Sequence, residues 1–157
     1  MSLRIKELLM IVCLAAFIIF VNRRESYIDI NASAILDRIV EVVDISNMEK
    51  FDNSDIKKNF GVNANDYGSV VYYGHESVMD CETLLIIELD DESQGQDIMD
   101  VIAKNRDADR ELFKSYAPDQ YKLLSDSILE QKGNYVLYVV SGNAKDIEKA
   151  FVDSITG

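Results

Sequence analysis

The sequence predicts a two-layer α+β domain: a four-stranded, mainly antiparallel sheet built from two β-hairpins, with helices packed on one face of that sheet. Two pairs of stretches rich in β-branched, aromatic and aliphatic residues predict the hairpins. Stretches in which apolar residues recur every three or four positions predict the helices. An unbroken apolar run at residues 8–21 predicts one transmembrane helix before the domain.

The apolar run has basic residues on both sides and predicts a membrane anchor over residues 1–22. Arg4 and Lys6 precede the run, and Arg23 and Arg24 follow it. The side chains expected to lie in the membrane are Leu8, Met10, Ile11, Leu14, Phe17, Ile18, Ile19, Phe20 and Val21. The 14 residues of the run cover about 21 Å of a bilayer core of about 30 Å. A spanning helix is therefore short, and its basic ends must reach the headgroups.

A cleaved secretory signal is the alternative to a retained anchor. The basic start and the length of the run fit a signal, but a signal also needs small residues at its cleavage site. The run instead leads into Arg23, Arg24 and Glu25, and Cys13 lies too deep in it to form a lipoprotein site. We therefore expect a retained helix of the signal-anchor type. Its short leading tail favours a single-pass protein of the cell membrane with the following domain extracytoplasmic.

The rest of the chain divides into a short linker, residues 23–31, and one acidic domain, residues 32–157. The whole chain carries 16 basic and 28 acidic residues, which gives a formal net charge of −12. A domain this acidic is repelled by phosphate, so we expect no nucleic-acid partner. Because Cys81 is the only cysteine after the apolar run, the domain has no internal disulfide and depends on packing for its stability.

Two helices are predicted before the first hairpin. The first covers residues 32–44, with Asn31 or Ser33 as its N-cap. One side of it carries the apolar residues Ile35, Leu36, Ile39, Val40 and Val43. The second, over residues 54–59, ends at Gly61, where a left-handed backbone is expected to stop the helix.

The hairpins are predicted to pair residues 69–76 with 83–90, and residues 127–132 with 135–141. Gly133-Asn134 between the second pair is a strong signal for a two-residue turn. A helix follows each hairpin, so the order strand-strand-helix occurs twice, without a matching residue pattern.

The two helices that follow the hairpins are amphipathic. The long one, residues 93–116, is predicted to bury Ile98, Val101, Ile102, Leu112 and Phe113. A further helical turn starts at Pro118 and continues to Leu124. The last helix, capped by Asn143, is predicted to bury Ile147, Ala150, Phe151 and Ile155.

One histidine and one cysteine of the domain are candidates for chemistry. His75 lies beside Glu76 near a strand end, and Cys81 lies across the predicted turn. A Cys–His pair can act as nucleophile and base, but no third group that would orient His75 is recognisable. Turn residues of mixed polarity have the same pattern without any chemistry. We therefore predict no catalytic residue.

Metal sites are not predicted either. One histidine and one cysteine fall short of a zinc site. Residues 63–68 begin like a calcium loop, but Tyr67 stands at the fifth position and Gly74 at the twelfth, where oxygen ligands are needed. The sequence therefore predicts neither a metal nor another cofactor.

Two groups of residues are candidates for an interaction surface. The first comprises tyrosines of the predicted strands, which an open sheet face would display: Tyr72, Tyr73, Tyr135 and Tyr138. Tyrosine is also an ordinary strand former, and the first helix could cover that face. The second is a basic row at spacings of four on the long helix: Arg106, Arg110 and Lys114. It could bind an anionic envelope polymer or an acidic partner, although a solvated face balanced by neighbouring carboxylates is the simpler interpretation.

Several short patterns resemble an uncharacterised family. They are Glu92-Ser93-Gln94, the long charged helix, residues 115–121 (SYAPDQY) and residues 132–136 (KGNYV). The family consists of small domains of unknown function in Gram-positive, clostridia-type bacteria, and the likeness covers residues 33–155. Its members are usually tethered by a lipoprotein signal or an amino-terminal helix, so the resemblance implies an anchored extracytoplasmic domain. It implies no catalytic residue or ligand, and this chain lacks the lipoprotein site.

Three functional hypotheses remain open from the sequence. The first is a non-enzymatic binding or accessory module tethered to the membrane, with an envelope protein or polymer as partner. The second is a small envelope enzyme that uses His75 with Cys81 or Glu76. The third is a secreted soluble domain released by signal cleavage.

Overall fold

The computed structural model describes residues 3–22, with the side chains of residues 5–19 among them, and residues 27–157. The helices are α1 (Leu3–Asn22), α2 (Ala32–Val40), α3 (Asn53–Phe60), α4 (Gln94–Phe113), α5 (Pro118–Ser125) and α6 (Ala144–Thr156). The strands are β1 (Glu49–Lys50), β2 (Ser69–Gly74), β3 (Thr83–Glu88), β4 (Ile128–Lys132) and β5 (Tyr135–Val140). The predicted α+β class, both hairpins and the twofold strand-strand-helix order are confirmed.

The sheet is antiparallel throughout and has five strands in the order β1-β2-β3-β5-β4, rather than the four that we predicted. The additional strand, β1, pairs with the end of β2, where Lys50 lies opposite Tyr73. Two residues are too few to show the alternation that identifies a strand in a sequence. The first hairpin has the expected pairing, and the second closes at Gly133, whose φ is +53°.

Helices cover both faces of the sheet, so the predicted two-layer arrangement with helices on one face is wrong. Helices α2 and α6 pack on what we call the first face, against side chains such as Leu84 and Ile86 of β3. Helices α3, α4 and α5 pack on the second face, against the alternate side chains Leu85 and Ile87. The reason lies in β3 and β5, which are apolar at nearly every position and must therefore be covered on both sides.

The ends of the short helices follow the predicted caps. Asn31 begins α2 and accepts a hydrogen bond from the backbone N–H of Ala34 at 2.9 Å. The helix ends at Val40, before the predicted Asp44. Helix α3 begins at a capping box and ends at Gly61, whose φ is +69°.

Helix α4 buries fewer apolar residues than predicted. Ile98, Ile102 and Phe113 are buried, but Val101 is 38% exposed and Leu112 is 59% exposed. The buried side of a helix continues at spacings of three and four, and between Ile102 and Phe113 those positions carry polar side chains. The middle of α4 therefore presents a polar surface to the second face.

The helix that we predicted over the apolar run is present as α1. Its large apolar side chains are exposed by about half to two-thirds, from 49% at Ile5 to 67% at Met10. Among residues 3–22 and 27–157, no helix combines the length and the apolar character needed to cross a membrane. The transmembrane helix that we predicted is therefore not found, since the apolar run alone is shorter than a bilayer core. The predicted lipid contacts of Phe20 and Val21 lie outside the described side chains.

The end of the predicted linker is bound to the domain. The Ile28 N–H donates a hydrogen bond to the Ile155 carbonyl at 2.8 Å. The Tyr135 hydroxyl accepts from the Ile30 N–H at 2.9 Å and donates to the Ile30 carbonyl at 2.7 Å. Residues 28–30 thus form an ordered part of the first face, while residues 23–26 lie outside the described residues.

Candidate functional site

A groove of about 730 Å³ opens on the second face. Helices α3 and α4 form its walls, and the loop that joins β2 to β3, residues 75–82, closes one end. This volume lies within the range of small-molecule sites in proteins. All of the residues that line it lie between Phe51 and Tyr138.

The floor of the groove is aromatic. The Tyr72 ring contacts Phe51 and Phe60 edge to face, with ring centroids 5.0 Å and 5.4 Å away. Phe60 contacts Tyr138 in the same way at 6.2 Å. The Tyr72 hydroxyl accepts a hydrogen bond from the Asn59 amide at 2.8 Å. Burial raises the pKa of both tyrosines, so their hydroxyls stay neutral at physiological pH.

The α4 wall is polar because Asn105, Arg106 and Asp109 occupy the positions between Ile102 and Phe113. Arg106 is held by Asp107, whose carboxylate lies 3.1 Å from its guanidinium. Partial burial raises the pKa of Asp109. Among the described residues that line the groove, five are acidic and two are basic, so the groove favours positively charged ligands.

Three side chains of the loop converge at its end of the groove. His75 Nε2 lies 3.7 Å from Asp80 Oδ2 and 3.5 Å from Glu82 Oε2. The three ligand atoms lie within 4.8 Å of one another. His75 Nε2 is inaccessible to solvent and has no hydrogen-bond partner among the described residues. The His75 side chain as a whole is only 18% exposed.

Other contacts hold the two carboxylates in place. One oxygen of Asp80 accepts a hydrogen bond from the Glu82 N–H at 3.0 Å, which leaves the other oxygen directed at His75. Glu82 accepts from the Ser141 hydroxyl and the Asn47 amide, each at 3.4 Å. The cluster is therefore supported from β5 and from the segment that precedes β1.

Cys81 is unsuited to the nucleophilic role considered from the sequence. Burial and the neighbouring Asp80 raise the pKa of its thiol to about 12, so the reactive thiolate is scarce at neutral pH. Its sulfur lies 3.5 Å from the Gln120 carbonyl, and its N–H donates to the Gln120 side chain at 2.8 Å. Cys81 anchors the loop to α5. In the described part of the chain, His75 forms no ion pair with Glu76.

The four tyrosines predicted as an interaction surface do not form an exposed surface. Tyr72, Tyr135 and Tyr138 are each at most 5% exposed, because helices cover both faces of the sheet. They also divide between the faces: Tyr72 and Tyr138 pack in the second-face cluster, and Tyr135 and Tyr73 pack with the first. Tyr72 and Tyr138 do line the groove.

The basic row of α4 is held by acidic neighbours. Arg110 lies 3.6 Å from Asp107, and Lys114 lies 3.2 Å from Glu111. Arg106 lines the groove, whereas the other two basic residues do not. This arrangement fits the simpler interpretation of the row as a solvated face.

Sequence reasoning missed Asp80 and Glu82 as partners of His75. A signal was present, because His75 follows one strand and Glu82 precedes the strand that pairs with it. Residues that flank a hairpin connection on its two sides lie close together. The predicted partners of His75 were Cys81 and Glu76, whereas the carboxylates that face it belong to Asp80 and Glu82.

Comparison with known proteins gives one match. Residues 41–141 match a family model described as a domain of unknown function, DUF4358. The matched residues contain all five strands and every residue that lines the groove. No curated protein and no solved structure matches the chain.

Proposed function

This chain belongs to the DUF4358 family, whose function is unknown, and we propose that it is a membrane-attached, non-enzymatic binding module. The ligand site is the acidic groove of the second face, and α1 attaches the domain to the outer face of the cell membrane. The groove is the observation that carries the proposal.

The contents of the groove support binding. Its floor offers apolar edges of Phe51 and Phe60, and its walls offer charged and amide groups from α3 and α4. Ligand sites in proteins combine an apolar floor with a few polar groups in this way. On the first face, by contrast, the inward side chains of α2 and α6 are buried against the sheet.

The charge of the groove indicates the chemical class of the ligand. Carboxylates outnumber basic groups there, and the whole chain carries a net charge of −12. A cationic group, such as the amine of an envelope protein or polymer, is attracted to such a site, and an anionic group is repelled.

Membrane attachment is supported by the exposed apolar surface of α1. Side chains around the whole helix, such as Leu8, Phe17 and Ile19, are more than half exposed. A helix that is apolar all round is stable only when a membrane or another protein covers it. None of its described side chains belongs to the two clusters of buried residues in the domain.

The binding proposal is tested with a tetralysine peptide as cationic probe. Isothermal titration calorimetry is carried out on the full chain in detergent, with EDTA present. Wild type is compared with the groove variant Glu76→Gln/Asp109→Asn and with the control Asp37→Asn/Asp153→Asn, which removes the same charge elsewhere. We expect the groove variant to bind at least about fivefold more weakly than the control. Equal affinity of the two variants would refute the groove as the site.

Attachment and sidedness are tested together in cells. A chain with Cys13→Ala, Cys81→Ala and Gly157→Cys is labelled on intact cells with a membrane-impermeant maleimide. We expect labelling before lysis and recovery of the protein with the membranes. A protein that reacts only after lysis lies on the inner side, and an intact mass that lacks the residues before Tyr27 identifies a released, secreted domain. Either result would contradict the localisation proposed here.

A further inference from the structure

We propose that His75, Asp80 and Glu82 bind a divalent transition-metal ion, with zinc as the ion to test first. This deepens the binding role proposed above and rests on it for the groove as the ligand site. At the end of the groove that residues 75–82 close, the bound cation is a metal ion rather than an amine. Nothing in the sequence pattern assigned these three residues to a metal.

The distances fit a metal better than they fit an ion pair. A zinc ion lies about 2.0–2.2 Å from nitrogen and oxygen ligands, which places tetrahedral ligand atoms about 3.3–3.6 Å apart. His75 Nε2 lies 3.5 Å and 3.7 Å from the two carboxylate oxygens. Charge-assisted hydrogen bonds between such atoms are shorter, at about 2.7–2.9 Å. All three atoms lie within 4.8 Å of one another, so small side-chain shifts would bring them around one ion.

The burial of His75 Nε2 is the second observation. A buried nitrogen without a hydrogen bond is costly, because its desolvation is not compensated. This atom has no hydrogen-bond partner among the described residues, although two carboxylates face it. A metal ion would satisfy the nitrogen and both oxygens at once. One neutral imidazole and two carboxylates would also balance the double positive charge of the ion.

The supporting contacts fit a metal site as well. Metal-binding carboxylates are oriented by hydrogen bonds to their second oxygen. Glu82 Oε1 accepts from Ser141, and Asp80 Oδ1 accepts from the Glu82 N–H. Three protein ligands leave a coordination position open toward the groove, where water or a ligand of the groove can bind.

The ligand types select the class of metal. Imidazole suits zinc, iron and copper, whereas magnesium and calcium prefer sites made of oxygen alone. A site with one nitrogen and two oxygens therefore binds zinc more tightly than manganese, and manganese more tightly than magnesium.

The test is calorimetric titration of zinc into the metal-free full chain in detergent, without peptide. Wild type is compared with His75→Ala and Glu82→Gln, and with two controls: Asp37→Asn, which removes a carboxylate outside the groove, and Cys81→Ala, which alters a neighbour of the proposed ligands. We expect one zinc ion per chain, binding at least about tenfold weaker in the two ligand variants, and unchanged binding in the two controls. Wild-type affinity in His75→Ala would overturn the site.

Cobalt gives a second readout that needs no variant. Cobalt in a nitrogen and oxygen site absorbs in the visible region, and thiolate ligation adds a strong band in the near ultraviolet. We expect visible bands without the thiolate band. A thiolate band, or loss of zinc binding in Cys81→Ala, would assign the metal to the cysteine and refute the proposed ligands. Zinc could fail to bind while the groove variant still binds tetralysine more weakly than its control in EDTA. In that case only the metal proposal fails.

Discussion

Among the described residues, the two faces of the sheet bury clusters of equal size, but they differ in the side chains that their helices contribute. On the first face, α2 and α6 contribute almost entirely aliphatic side chains, together with Phe151, and bury them against the sheet. On the second face, α3 and α4 meet over four aromatic rings and leave a polar groove. Two faces of one sheet can therefore have separate tasks: one stabilises the domain and the other is open to a ligand.

The difference arises from the middle of α4. Between Ile102 and Phe113, the inner side of α4 carries Asn105, Arg106 and Asp109. The inner side of α6 is mostly apolar, with Ile147, Phe151 and Ile155 buried. Polar side chains cannot be buried against aromatic rings without partners, so α4 leaves space for solvent there. The groove is thus a consequence of the sequence of α4.

Truncation of one central aromatic on each face should have the largest effect. Phe151→Ala leaves a dry cavity and should cost about 3–5 kcal/mol of the free energy of unfolding. Phe60 lies beside the groove, where water can enter the space that its truncation leaves. Phe60→Ala should therefore cost less, about 2–3 kcal/mol of the free energy of unfolding. Thermal melts and urea titrations of both variants measure the difference. Equal losses would mean that the second face is as closed as the first.

Removal of one hydroxyl on each face should have the next largest effect. Tyr135→Phe leaves the N–H and the carbonyl of Ile30 without their partner and should cost about 1–3 kcal/mol. Tyr72→Phe removes one bond to Asn59, which water in the groove can replace, and should cost about 0.5–1 kcal/mol. Hydrogen exchange should show faster exchange of the Ile30 amide in Tyr135→Phe. Unchanged exchange there would contradict the role of Tyr135 in holding residues 28–30.

Glu130 is a charged residue on the otherwise mostly apolar first face. Burial raises the pKa of its carboxyl, and one of its oxygens has no hydrogen-bond partner among the described residues. Because the pKa of Glu130 is higher in the folded protein than the unfolded value of 4.5, the protonated carboxyl contributes stability to the folded state below pH 4.5. This contribution is lost as the pH rises through the pKa of the folded protein. Glu130→Gln should therefore stabilise the protein at pH 7 by about 0.5 kcal/mol, with no gain at pH 3. Melts at the two pH values measure this, with the exposed Glu111→Gln as control. A gain that is equal at both pH values would contradict the titration of Glu130.

The smallest effect is expected from the outer basic residues of α4. Arg110→Gln/Lys114→Gln removes two ion pairs on the helix surface, which contribute little because water and salt screen them. The free energy of unfolding should change by less than about 0.5 kcal/mol, and binding of tetralysine should not weaken. A marked change in peptide binding would extend the binding site beyond the groove.

The sequence predicted most elements of the fold because their signals are local. Gly61 and Gly133 have the positive φ that their positions required, and both hairpins pair as expected. The number of layers was wrong because we expected one open face, although β3 and β5 are apolar on both sides.

The candidate site was harder to predict because it depends on contacts between distant segments. The Glu82 side chain is held by Asn47 and Ser141, and Cys81 is held by Gln120. No short sequence motif reveals these contacts. The predicted surface of tyrosines failed because strand alternation placed the four residues on opposite faces. The family match supplied no residue roles that could have replaced this information.

The proposed function requires that the second face alone binds the ligand. The direct measurement is a set of amide NMR spectra of the full chain in detergent, recorded during titration with tetralysine in EDTA. We expect shifts confined to α3, to residues 75–82 and to the middle of α4, with α2 and α6 unchanged. Shifts of similar size on α2 and α6, or spread evenly over the acidic surface, would contradict the proposed function.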